Sequence, residues 1–116
     1  MPAYIVARID IRDRTRYAEY MKHTPRVIAR YGGRFIVRGG ETATLEGPPE
    51  TLRLVIIEFP SVEQARAFYE SPEYTLVKTL REGAGEGCFT LVEGCDQAAW
   101  PAVVAASQAL SPPVAR

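Results

Sequence analysis

The sequence predicts a one-domain α+β fold in which two helices cover one face of a four-stranded antiparallel sheet. Stretches with the period-two alternation of strands and stretches with the spacing of amphipathic helices follow one another in the order β-α-β, β-α-β. The chain has 116 residues, which is long enough for a single core without disulfides or metals. Two β-α-β units in this order predict a ferredoxin-like sandwich.

The first unit is a strand, a helix and a second strand. Residues 4–9 are rich in β-branched side chains and predict the first strand. Asp13 then caps a helix that a glycine pair, Gly32-Gly33, ends. Pro25 interrupts the helical pattern and predicts a kink or a split into two helices. The second strand begins at Phe35 and runs to about residue 38.

The second unit repeats this order. Residues 52–59 are the most apolar stretch and predict a central strand, and residues 61–64 form a capping box that opens the next helix. Ser71-Pro72 ends that helix and begins another, which we expect to reach about residue 81, and residues 86–93 predict the last strand. Residues 1–94 would then form the domain. The remainder, 95–116, is rich in alanine and proline and predicts a partly helical or frayed extension.

The strand alternation assigns two unlike faces to the sheet. One face is uniformly apolar and should lie under the helices: Ile5, Ala7, Ile9, Val55, Ile57 and Phe59. The other mixes large aliphatics with charges: Tyr4, Val6, Arg8, Asp10, Arg34, Ile36, Arg38, Leu52, Leu54, Ile56 and Glu58. Phe35 and Val37 would pack under the helices. An exposed face of this kind predicts a homodimer that closes sheet against sheet.

The composition disfavours several classes of function. Fourteen basic and fourteen acidic residues give no net charge, which argues against a nucleic-acid partner. No apolar run is long enough for a membrane and no secretory signal is present, so we expect a cytoplasmic protein. Cys88 and Cys95 lack metal-ligand spacing and only one histidine is available, so we expect no metal and no cofactor.

The candidate site is a polar cavity near the sheet. Arg38 and Glu58 would share this space, either as a structural ion pair or as part of a binding site for a small anion. Glu46 could form an ion pair with Arg38 or Arg34. His23 is the default acid–base candidate by residue type, but because no partner for it can be deduced, the sequence favours an exposed or satisfied surface histidine over a catalytic one. The candidate ligand-binding residues are Arg38, Glu58, Tyr17, Tyr20, His23, Arg34 and Glu46.

Two functions remain open from these residues. In the first, the domain binds or transforms a small apolar or aromatic acid, whose carboxylate an arginine holds while apolar walls supply affinity. In the second, it is a dimeric structural or regulatory module without catalytic activity. Its polar groups would then fix the register and the specificity of pairing between subunits. Whether the protein is an enzyme stays undecided at this stage.

Three features resemble a bacterial family, domain of unknown function 1330, of the dimeric α+β barrel superfamily. They are GGRFIVRGG at residues 32–40, EFPSVEQARAFYESPEY at residues 58–74, and Arg81, and the resemblance covers about residues 3–94. It implies a ferredoxin-like subunit that pairs through its sheet into a barrel. The superfamily includes cofactor-free monooxygenases, muconolactone isomerases, haem-dependent chlorite dismutases and stress-response proteins. The family itself has no settled activity, so the resemblance implies no catalytic residue.

Overall fold

The computed structural model describes residues 1–112. Its strands are β1 (Ala3–Ile11), β2 (Arg34–Arg38), β3 (Arg53–Phe59) and β4 (Gly85–Glu93), and its helices are α1 (Arg14–Arg30), α2 (Val62–Glu70), α3 (Pro72–Lys78) and α4 (Trp100–Ala106). The four strands pair antiparallel in the order β2-β3-β1-β4, which makes β3 and β1 central. This is the predicted ferredoxin-like βαββαβ arrangement, with α1 and α2 packed on one face of the sheet.

The two ends of α1 are those that the sequence predicts. Asp13 accepts a hydrogen bond at Oδ1 from the backbone N–H three residues later, at 3.1 Å. At the other end Gly32 has a φ of +81°, and its N–H donates to the Ala29 carbonyl at 3.0 Å. The N–H of Gly33 donates to the Ile28 carbonyl, also at 3.0 Å. These two bonds satisfy carbonyls that the helix end would otherwise leave unpaired.

Pro25 lies inside α1 without dividing it, so the predicted split does not occur. Because proline has no N–H, the carbonyl of Met21 loses its helical donor. Two side chains donate to that carbonyl instead: Arg38 through Nη2 at 3.3 Å and Thr24 through Oγ1 at 3.4 Å. The proline therefore leaves this carbonyl without a backbone donor, and the bond from Arg38 joins α1 to β2 there.

A register shift in the middle of β2 reverses its alternation. Arg34 lies opposite Glu58, whereas Arg38, four residues later, lies opposite the buried Val55. Residues directly opposite each other in an antiparallel pair share a face, and a bulge inserts one extra residue. Arg38 therefore lies on the helix side of the sheet. The prediction that Arg34 and Arg38 share the open face is wrong.

The same shift changes the assignment of Val37. Val37 lies opposite Ile56, on the face away from the helices, so its predicted packing under the helices is also wrong. Phe35 precedes the shift and lies opposite the buried Ile57, as predicted.

The core lies between the sheet and the helices. The odd-numbered side chains of β1 and β3 that were predicted to face the helices are all buried, and the helices contribute Tyr17, Tyr20, Val27, Ile28, Ala65, Phe68 and Tyr74. Phe68 is central to the aromatic part of this core: its ring centroid lies 4.6 Å from that of Tyr74 and 5.2 Å from that of Phe59.

No helix covers the opposite face of the sheet in the described part of the chain. Its aliphatic side chains are partly buried or exposed, and ion pairs hold charges on it. Arg34 Nη2 lies 2.7 Å from Glu58 Oε1, and Arg8 binds Glu50 through two bonds of 2.8 and 2.7 Å. We call this surface the open face.

The described part of the C-terminal extension does not pack on the core of the domain. Every described residue after Gly94 is exposed, including Trp100 in α4. The radius of gyration is 18.3 Å, whereas a compact domain of this length has about 13 Å.

We expect a chain that ends at Cys95 to keep its free energy of unfolding within about 0.5 kcal/mol of that of the full chain, because little packing is removed. Urea denaturation of both chains measures this, and a larger loss would show that the extension packs on the domain or on a partner.

Candidate functional site

A cleft between α1 and the sheet contains two adjoining cavities. Their walls share Ile9, Tyr17, Met21 and Arg53, so the two spaces form an outer and an inner part of one cleft. The outer part holds about 490 Å³ and the inner part only about 30 Å³ of space wide enough for water. The inner part has room for about two water molecules. The cleft is thus wide outside and narrow inside.

The wall of the inner cavity is apolar and basic. Aliphatic and aromatic side chains dominate it, Arg38 and Arg53 are its charged members, and no acidic side chain of the described residues lines it. The outer cavity is also lined by the residues Asp10 and Arg14, and the Asp10 carboxylate pairs with Arg12 at 3.5 Å. The inner end of the cleft therefore carries positive charge beside mainly apolar side chains.

Arg53 begins β3 and passes over Gly39. Gly39 has a φ of +69°, and its missing side chain leaves the space that the Arg53 guanidinium occupies. Arg53 Nη2 lies 3.5 Å from the Arg38 carbonyl, a long hydrogen bond, and Nε is buried without a partner among residues 1–112. A buried donor left unpaired costs about 1–3 kcal/mol. Such a group in a native structure is often explained by an acceptor, such as a ligand or a water molecule.

Arg38 is held from two sides. Its guanidinium carbon lies 4.4 Å from the centroid of the Phe35 ring, and one N–H reaches the Met21 carbonyl. In the part of the chain that the structure describes it has no carboxylate partner. Arginine has five N–H donors, so most of its capacity to bind an anion remains free.

A buried pair of tyrosines forms part of the inner wall. The hydroxyl oxygens of Tyr20 and Tyr74 lie 2.7 Å apart. The pKa of Tyr20 is raised far above its usual range, mainly by burial and to a smaller extent by the neighbouring Tyr74. Burial raises the pKa of Tyr17 as well. The Tyr20 and Tyr17 hydroxyls are therefore neutral near pH 7 and can act as hydrogen-bond donors.

Arg81 lies behind this pair. Its guanidinium carbon is 4.7 Å from the centroid of the Phe89 ring and 5.5 Å from that of Tyr20. Burial by itself would lower the pKa of Arg81, but the nearby Tyr74 and Tyr20 hydroxyls raise it above its ordinary value. Arg81 thus stays a cation, and its Nε has no hydrogen-bond partner within the described residues.

The raised pKa of Tyr20 predicts a loss of stability at alkaline pH. The unfolded chain releases this proton near pH 10, whereas the folded chain keeps it to higher pH. Above about pH 10 the unfolded state binds fewer protons, so the free energy of unfolding falls as pH rises. We expect Tyr20→Phe to reduce this fall in urea titrations between about pH 8 and 11. Equal slopes for the variant and the parent chain would contradict the expectation.

The structure separates the residues that the sequence groups as a site. Tyr17, Tyr20 and Arg38 all line the cleft. Arg34 and Glu58 lie on the open face and pair with each other, because the register shift carries Arg38 to the other side. The predicted Arg38–Glu58 pair is therefore wrong.

Two further candidates lie outside the cleft. His23 is exposed on α1, and Glu46 is exposed in the loop between β2 and β3. The predicted pairing of Glu46 with Arg34 or Arg38 does not occur within residues 1–112. The carboxylate of this loop that forms an ion pair is Glu50, which binds Arg8 on the open face.

The sequence reasoning missed Arg53, Tyr74 and Arg81 as site residues. A signal for Arg53 was present, since its odd position in β3 shares the apolar helix face with Val55 and Ile57.

Among residues 1–112 no cluster of three or more metal-ligating side chains occurs, and Cys88 and Cys95 are free and exposed. None of the described helices has the length and apolar character needed to cross a membrane.

Comparison with known proteins gives one family and several related folds. The model of a family described as a domain of unknown function, DUF1330, matches residues 2–95. No curated protein matches the chain in sequence. A protein of unknown function from Rhodopseudomonas palustris is similar in structure, with a TM-score of 0.66 and 22% identity over 82% of this chain and 83% of that one.

Two other solved structures share the fold at lower identity. SnoaB, a cofactor-independent oxygenase from Streptomyces nogalater, has a TM-score of 0.60 and 14% identity over 83% of this chain and 95% of its own. A dimeric protein of unknown function and ferredoxin-like fold from Bacteroides fragilis has a TM-score of 0.50 and 12% identity over 80% and 96%. At these identities the similarity establishes the fold alone.

Proposed function

The chain belongs to the DUF1330 family, whose function is unknown, and we propose that it binds a small apolar or aromatic acid in the cleft between α1 and the sheet. One observation carries the proposal. Two arginines, Arg38 and Arg53, line an apolar cavity whose described wall has no acidic side chain. Uncompensated cations in such surroundings favour an anionic ligand, because a carboxylate supplies the missing acceptors.

The shape of the cleft supports a ligand with a charged end and an apolar body. The outer part, at about 490 Å³, falls in the range of small-molecule sites. The inner part is narrower, so an aromatic ring would enter it only when a wall residue moves. Met21 belongs to both walls, and its flexible thioether side chain adapts readily to a new shape.

A thermal-shift screen tests the proposal. The probes are benzoate, cinnamate, 2-naphthoate and hexanoate, each compared with its uncharged primary amide. A ligand at 100 times its Kd stabilises the folded state by about 2.7 kcal/mol, which raises Tm by about ten degrees. We expect such a rise for at least one acid and none for its amide.

Two arginine variants from the same strand give a matched comparison. Arg38→Ala should abolish the acid-induced rise in Tm, whereas Arg34→Ala should retain it, because Arg34 lies on the open face. Failure of every acid to raise Tm, or equal loss in both variants, would refute the proposed site.

We also propose that the protein is a homodimer that pairs through its open faces. The partly buried aliphatic side chains there, among them Val6 and Ile56, and the exposed Ile36 and Val92 support this. Sedimentation should give twice the chain mass of 12.8 kDa. Ile56→Glu should produce monomers, whereas the control Leu76→Glu, at an exposed helix position, should not. A parent chain that is monomeric at micromolar concentration would contradict the dimer.

A dimeric module without a ligand is the second candidate, and the same open face favours it. This alternative requires only the pairing of the sheets. It predicts a dimer whose Tm no acid changes, so the two experiments together separate the candidates.

A further inference from the structure

The hydrogen bonds of the Tyr20–Tyr74 pair leave one proton without an acceptor. Each hydroxyl has one proton to donate. In the 2.7 Å contact between them one hydroxyl donates and the other accepts, and neither oxygen contacts another acceptor within residues 1–112. The proton of the accepting hydroxyl is therefore unused. A buried polar group in this condition is unfavourable unless a further partner is present.

The surroundings restrict what that partner can be. Both tyrosines line the inner cavity, and their side chains are buried. Arg81 keeps a positive charge beside Tyr20. A neutral hydroxyl next to a cation favours an acceptor oxygen and disfavours a donor or a second cation. The inner end of the cleft thus suits a carbonyl oxygen, which accepts a hydrogen bond and has no proton of its own to donate.

The arginines and the tyrosine pair occupy different parts of the cleft. Arg53 lines both the inner and the outer cavity, whereas Tyr20 and Tyr74 line the inner one only. A ligand that enters from the wide outer part would leave its carboxylate near Arg53 while its other end advances toward the tyrosines. Apolar side chains lie between these polar groups.

We infer that the ligand is an acid with a second oxygen, a ketone oxygen at the end opposite its carboxylate, and that the Tyr20–Tyr74 pair donates to this oxygen. The inference rests on the proposed function, since the same cleft must bind the acid. It narrows the ligand class from apolar acids in general to keto acids whose ketone and carboxylate are separated by an apolar segment.

Calorimetric titration with 4-acetylbenzoate and 4-isopropylbenzoate tests the inference. The two acids are similar in size, with a carbonyl oxygen in one where the other has a methyl group. One neutral hydrogen bond corresponds to about tenfold in Kd, so we expect the parent chain to bind 4-acetylbenzoate about tenfold more tightly. A second pair, 6-acetyl-2-naphthoate and 6-isopropyl-2-naphthoate, makes the same comparison with ligands that are longer by one ring.

The double variant Tyr20→Phe/Tyr74→Phe should bind both acids equally. It removes both hydroxyls together, which leaves no unpaired partner and favours a folded protein. Tyr31→Phe is the control, because the Tyr31 hydroxyl bonds Glu73 and Tyr31 does not line the inner cavity. This control should keep the tenfold preference.

The outcomes separate the two proposals. Equal affinities in the parent chain, or a preference that survives in the double variant, would overturn the inference while the proposed function stands. Failure of all four acids to bind would overturn both.

Discussion

Replacing Phe68 with alanine is expected to lower the free energy of unfolding by about 3–5 kcal/mol. Phe68 is 2% exposed, and its ring packs against Phe59, Tyr74 and Tyr31, so it links α2 to the sheet, to α3 and to α1. Its removal deletes a large apolar surface and leaves a cavity that these rings fill only in part. A domain of this size has a total stability of roughly 5–15 kcal/mol, so the loss is severe.

Urea denaturation followed by circular dichroism measures this loss. Leu76→Ala is the matched control, because Leu76 is an apolar helix residue that is 71% exposed, and its replacement should change stability by less than about 0.5 kcal/mol. Similar losses for the two variants would show that α2 does not pack as described.

Replacing Arg53 with methionine is expected to raise the free energy of unfolding by about 1–2 kcal/mol and to abolish acid binding. Methionine fills much of the same space but removes a buried, unpaired N–H group from an apolar cavity, which relieves a desolvation penalty. The same change removes the cation that we propose to hold the carboxylate. A gain in stability together with a loss of binding is typical of a residue that is retained for function.

The control for this variant is Arg26→Met, at an exposed position on α1. It should change neither stability nor the acid-induced rise in Tm. A fall in the stability of Arg53→Met would show instead that Arg53 serves the fold, through its contact with the Arg38 carbonyl and its packing over Gly39. The structural and ligand-binding roles of Arg53 thus predict opposite signs.

Helix ends were predictable because the residues that make them act locally. Asp13 and Ser61 each accept a bond from a backbone N–H three positions later, at 3.1 Å in both cases. Gly32 takes the left-handed conformation that ends α1. These interactions depend on residues within one helical turn, which a sequence displays directly.

The position of Arg38 could not be predicted in the same way. Period-two alternation places Arg34 and Arg38 on one face, and only the register shift against β3 separates them. A bulge depends on how the neighbouring strand pairs, which is a long-range property. The contact with α1 is equally non-local, because it needs both the carbonyl that Pro25 leaves free and a β2 strand that brings Arg38 to it.

Arg53 shows a different limit of prediction from sequence. Its position on the helix face followed from the alternation of β3, but the space that accommodates it depends on Gly39 in the preceding loop. Its lack of a partner is visible only when the surrounding side chains are placed. The candidate site therefore combines a predictable face with contacts that only the folded chain reveals.

A crystal structure of the protein grown with a saturating concentration of the tightest-binding acid tests the central claim most directly. We expect the acid in the cleft between α1 and the sheet, with a carboxylate oxygen at about 2.7–3.2 Å from a guanidinium nitrogen of Arg53 or Arg38. An acid bound on the open face, or an empty cleft at a concentration that saturates the thermal shift, would contradict the account.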